Sequence, residues 1–198
     1  MNPHFQRIID TVEPLQDAIY GPRYRCALTL TDGTKLPCVV LQSKAKLVEL
    51  AKRRIKEEMG GKGKLISPDP YGDIVATFVT GGNTINDFDV ADAAPSPFAP
   101  PLSLLEQIHG ETVMAWTGWV FEMSDGRLFP YGSGFTMEFF HLPYGYRFED
   151  VVKVHNHSFL SPTGELRSIQ QFGSLPDDYD QESLFRERVY FTCAIDGI

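Results

Sequence analysis

Cysteine is scarce in this 198-residue chain: there are three, at positions 26, 38 and 193, with no pair at CxxC spacing. An odd, scattered set gives no disulfide framework and no cysteine pair to ligate a metal. Long apolar runs are missing too; each stretch lasts a few residues, against the ~20 needed to span a bilayer. The opening residues, Met1-Asn-Pro-His-Phe-Gln-Arg7, lack a basic segment followed by an apolar one and do not read as a secretory signal. Positive charge is also in deficit. Eighteen Lys and Arg stand against 26 Asp and Glu, a formal net charge of −8, and a general nucleic-acid binder needs a basic footprint. These absences predict a cytoplasmic protein with no membrane association that is not a general nucleic-acid binder.

What is present suits a packed core. Hydrophobic residues make up 42% and charged residues 22% of the chain, and 14 Phe, 8 Tyr and 2 Trp favour sheet. Residues 3–19 read as an irregular helix interrupted near Pro14. Tyr24 to Thr31 and Thr34 to Leu41 flank Asp32-Gly33, a strong hairpin signal. A two-residue turn there would set Cys26 opposite Val39 and Ala27 opposite Cys38, with the two cysteines on opposite faces. Ser43 then offers a cap to a helix over 44–59, with Leu47, Ala51 and Ile55 every fourth residue and Gly60-Gly61 as its stop.

Residues 73–80 read as a strand, and Thr84 to Val90 as its returning partner. The Ala/Pro-rich segment 91–101 reads as irregular. Ser103 and Glu106 suggest a capping box for a short helix. Asp125-Gly126 joins a second, aromatic hairpin spanning 112–140. A two-residue turn there would put Trp119, Phe121 and Met123 on one face with Leu128, and Trp116, Val120, Phe129, Tyr131 and Phe135 on the other. Val151 to Leu160 reads as one strand, 181–187 as a short helix and Val189 to Ile195 as a closing strand.

The expected class is therefore α+β: a mainly antiparallel sheet with at least two β-hairpins, packed against the amphipathic helix 44–59. A single domain, 1–198, is the simplest organisation, with 91–101 as the place where a boundary would fall.

Three features carry chemistry. Between Lys44 and Lys64 lie eight of the eighteen Lys and Arg against three Glu, a local net of +5, so the remainder carries −13. Its helical part makes Lys46, Arg53 and Lys56 candidates for contact with an anion, an acidic partner or a nucleic acid. Both faces of the hairpin 112–140 are largely apolar, which suits either a sandwiched strand pair or a surface for a protein partner or a second copy of the chain. Finally, His155 and His157 stand two apart in an expected strand, a spacing of ~6.5–7 Å on one face that suits two imidazoles on one metal. His141, Glu138 and Glu122 are the candidates for a third ligand.

The segment Val154-His155-Asn156-His157, with Pro162-Thr163 beyond it, resembles the JAB/MPN (JAMM) metallopeptidase family. There the two histidines bind zinc and a metal-dependent hydrolase is implied. The family places Ser and Asp where this chain has Glu165 and Ser168, so the resemblance supplies no third ligand. A non-enzymatic binding protein without a cofactor is the leading expectation, a zinc-type hydrolase the alternative.

Overall fold

A computed structural model describes residues 2–59, 72, 76, 82–134, 136–171 and 173–198. Of the expected strand over 73–80 only Ala76 is described, in helical conformation, and the Gly60-Gly61 stop lies outside the described residues. The chain divides into two compact units, one formed by Met1–Ser96 with Tyr190–Ile198 and the other by Pro97–Val189.

In the first unit, helix α1 (Pro3–Thr11) begins at Asn2, whose side chain accepts the His4 N–H at 3.0 Å. Pro3 costs nothing at the first helical position, where its missing N–H would be unsatisfied anyway. Phe5 and Ile8 are buried. The helix stops at Thr11 rather than continuing past Pro14, because the residue before a proline is pushed out of helical conformation. Strand β1 (Leu15–Asp17) follows instead.

β2 (Gly21–Leu30) and β3 (Lys35–Ser43) pair antiparallel. The turn encloses three residues, 31–33, within the closing pair Leu30 and Thr34: Leu30 N–H bonds Thr34 C=O at 2.8 Å, and Gly33 takes φ +87°. Leu28 therefore faces Leu36, and a bulge between Cys26 and Leu28 restores Cys26 opposite Val39. Helix α2 (Lys44–Met59) follows β3 directly and buries Leu47, Leu50 and Ala51.

β4 (Thr84–Ile85) pairs with the closing strand β12 (Phe191–Ile195). β5 (Val90–Pro95) pairs antiparallel with β2. Segment 91–101 is thus partly a strand; β5 pairs with β2 alone, and a proline is tolerated on such an edge strand.

The sheet order is β1-β2-β3-β12-β4, with β5 also on β2, and β12 runs parallel to both of its neighbours. A tight loop can only return a chain antiparallel, whereas β12 arrives after the whole of Pro97–Val189. The mainly antiparallel expectation is corrected to mixed sheets. Phe5, Ile8, Cys26, Leu28, Val39, Leu41, Cys193 and Ile195 form the core.

The second unit opens with a one-turn helix, α3 (Leu102–Leu105), led in by Pro101 with no side-chain cap, so the Ser103–Glu106 box is not formed. Its sheet has the order β11-β7-β6-β8, from β6 (Thr117–Met123), β7 (Leu128–Ser133), β8 (Val151–Asn156) and β11 (Phe185–Arg186). β11 is parallel to β7 and replaces the helix expected over 181–187.

The β6–β7 turn again encloses three residues, 124–126, within its closing pair Met123 and Arg127. Met123 N–H bonds Arg127 C=O at 2.8 Å and Gly126 takes φ +83°. Phe121 consequently faces Phe129 and Trp119 faces Tyr131. That overturns the expected face assignment: Trp119, Phe121 and Met123 share their face and their core with Phe129 and Tyr131, not with Leu128. The expected strand 151–160 breaks at His157, whose φ is +51°. β9 (Ser158–Leu160) then pairs with β10 (Leu166–Ser168). Among the described residues, no helix is long and apolar enough to cross a membrane.

Candidate functional site

The basic helix meets a turn of its own unit. Ser43 Oγ accepts the Lys46 N–H at 3.3 Å and starts α2. Lys46 and Arg53 lie seven positions apart, two helical turns, and so share a face. On the facing turn, Asp17 Oδ1 accepts the N–H groups of Ile19 at 2.7 Å and Tyr20 at 2.9 Å. Burial opposes the charge on Asp17, but the Tyr20 and Ile19 N–H groups and the Arg23 guanidinium outweigh it and hold the carboxyl below its ordinary range. The turn presents Ala18 and Ile19, which with Lys46, Glu49, Leu50 and Arg53 line a surface cavity of about 150 Å³.

Ile19 remains largely exposed. Lys46 Nζ lies 3.2 Å from Glu49. Arg53, unlike Arg54, which meets Glu57 at 3.5 Å, has no carboxylate partner among the described residues. Lys56 is exposed in the last turn and does not line the cavity. Two of the three basic candidates are thus brought together. The Asp17 turn has no warning in the sequence beyond an Asp two residues before the N–H it binds.

The histidines are distributed differently. His155 Nε2 lies 2.8 Å from Glu122 Oε2, diagonally across β6 and β8. His157, beyond the strand end, meets another set. Its Nδ1 is 2.9 Å from the buried Thr112 Oγ1 and its Nε2 is 3.1 Å from Asn156 Nδ2, which also donates to His109 C=O at 2.8 Å. An amide nitrogen can only donate, so Nε2 accepts and Nδ1 carries the proton. Burial, with His109 at a ring distance of 6.1 Å, holds the His157 pKa below its usual value. Both nitrogens of the neutral ring are therefore engaged.

His141 is elsewhere again, hydrogen-bonded to Arg188, and its pKa is lowered by burial and by that guanidinium. Glu138 is buried. Glu122 is brought to His155, but not to His157. Among the described residues, no three His, Cys, Asp or Glu side chains are grouped to hold an ion.

The hairpin aromatics face inward: Trp116, Trp119, Phe121, Tyr131, Phe139 and Phe140 are buried. Trp119 stacks on Tyr131 at 5.8 Å and meets Phe140 edge-on at 5.2 Å. Phe135 lies outside the described residues.

The molecule is thus an α+β protein of two mixed-sheet units. No family model, curated protein or solved structure matches the chain.

Proposed function

We propose that this is a binding protein whose first unit takes an oxyanion, a carboxylate or phosphate borne by a partner or ligand, at the cavity between α2 and the Asp17 turn. The observation that carries this reading is the convergence of Lys46 and Arg53 on one cavity in a chain of net charge −8. An arginine whose fork meets no carboxylate among the described residues offers paired donors matched to a carboxylate or phosphate. Glu49, bound to Lys46, acts as the internal competitor that an incoming anion displaces, and exposed Ile19 adds an apolar edge.

Titration of inorganic phosphate into the ¹⁵N-labelled protein tests the reading. Saturable shifts at Ile19, Lys46 and Arg53, weakened at least tenfold in Arg53→Glu with the fold intact, are the expected result. Shifts that never saturate, or that survive the charge reversal, would remove the reading.

A further inference from the structure

A second cavity in the same unit has the opposite character. It measures about 350 Å³ and is lined by Asn2 and Phe5 of α1, Asp87 and Phe88 of the 3-10 turn Asp87–Asp89, and Ile195 and Asp196 at the end of β12. Phe5 and Ile195 are almost wholly buried and supply an apolar floor. Phe88, a large ring at the cavity wall, is 76% exposed. The two charged groups in the lining are both carboxylates.

We propose that this cavity binds an organic cation: an ammonium group on a small aliphatic body. An apolar floor with a few placed polar groups is the usual make-up of a small-molecule site, and the volume lies at the lower end of that range. A primary ammonium in the cavity is attracted by both Asp87 and Asp196, and the exposed Phe88 ring stands in the same wall to meet a cation. The aliphatic body lies against Phe88, above the base that Phe5 and Ile195 close. Lys44 Nζ stands 3.8 Å from Asp196, with both side chains at least half exposed. That pair is screened and weak, so a ligand ammonium displaces Lys44 at small cost. A neutral or anionic ligand of the same shape gains nothing from the carboxylates, and the anion is repelled.

The test uses the full chain with n-butylammonium, n-butanol and butyrate as probes, followed by amide shifts at low ionic strength. Saturable binding of butylammonium that perturbs Phe88 and Asp196, at least tenfold tighter than butanol and with no binding of butyrate, is the expected result. Asp87→Asn with Asp196→Asn should cost at least tenfold in butylammonium affinity at unchanged melting temperature. Phe88→Ala, which alters an exposed side chain without touching the carboxylates, should weaken it several-fold. Equal affinity for butanol and butylammonium would overturn the proposal and leave an apolar cleft only. So would full binding retained in the double Asn variant, or shifts that stay linear in probe concentration.

Discussion

Trp116 lies so close over the backbone of Gly132 that a methyl group on that glycine would overlap its ring. Gly132 pairs with Gly118, where an added methyl would come within 2.9 Å of the Tyr179 hydroxyl. The indole N–H donates to that hydroxyl at 2.9 Å, and the Arg186 guanidinium covers the ring at 4.5 Å. The run Tyr131-Gly-Ser-Gly134 therefore provides the bed for an indole.

Gly132→Ala should destabilise the second unit by about 1–3 kcal/mol, the ordinary cost of overfilling a packed site. In a Trp116→Ala background the added cost should fall by more than half, since the clash partner is gone. Urea unfolding of the two singles and the double measures this. Equal costs in both backgrounds would show that Trp116 is not the obstacle.

Stability should fall as pH drops below about 6.5. His157 and His141 both have pKa values lowered in the fold, chiefly by burial, with His109 and Arg188 adding to it respectively. The unfolded chain, whose histidines titrate near 6.5, then takes up protons before the folded one does. Their contribution is complete above that pH and is lost on the acid side. Unfolding free energies at pH 8, 6.5 and 5 should show this decline, reduced in His157→Gln with His141→Gln. A flat profile in the native sequence would contradict the neutral-ring assignment.

All three cysteines should resist modification until the chain unfolds. Each is buried and outside any disulfide. Burial, and then the neighbouring Asp87, pushes Cys193 up to about 12, and burial with Cys193 beside it raises Cys26 further still. The reactive thiolate of these two is therefore nearly absent at neutral pH, and burial shields Cys38 from reagent. Titration with a thiol reagent at pH 8 should find no fast-reacting cysteine in the native protein and three in denaturant.

Arg53→Glu with Lys56→Glu should change stability by less than about 1 kcal/mol. Both side chains are exposed and neither holds a carboxylate among the described residues, and surface substitutions away from specific contacts stay within about ±0.5 kcal/mol each. Loss of folding in this double variant, read by thermal melting, would mean that α2 uses these charges to hold its place.

Some features were legible because they are local. Ser43 and the spacing of Leu47 and Ala51 define α2, since capping and helical periodicity act within a few residues. Each Asp-Gly pair marks a reversal, because glycine takes the positive φ that the turn needs. Charge segregation put Lys46 and Arg53 on one helix face. It could not supply Ala18 and Ile19, which come from a turn about thirty residues earlier in the chain.

The sequence alone determined that two antiparallel strand pairs would form around residues 32 and 125, but tertiary structure decided their parity. Each turn encloses three residues where the Asp-Gly pair suggests two, and one residue of slip exchanges the faces of a strand. In the second pair nothing corrects the slip, so Phe129 and Tyr131 join Trp119 in the core. In the first, the bulge beside Ala27 takes up the extra residue and returns Cys26 to Val39. The separation of His155 from His157 has a similar origin. Their spacing places them on one face only while the strand continues, and the left-handed turn at His157 ends it, held by Thr112 and Asn156 through contacts that no local pattern encodes.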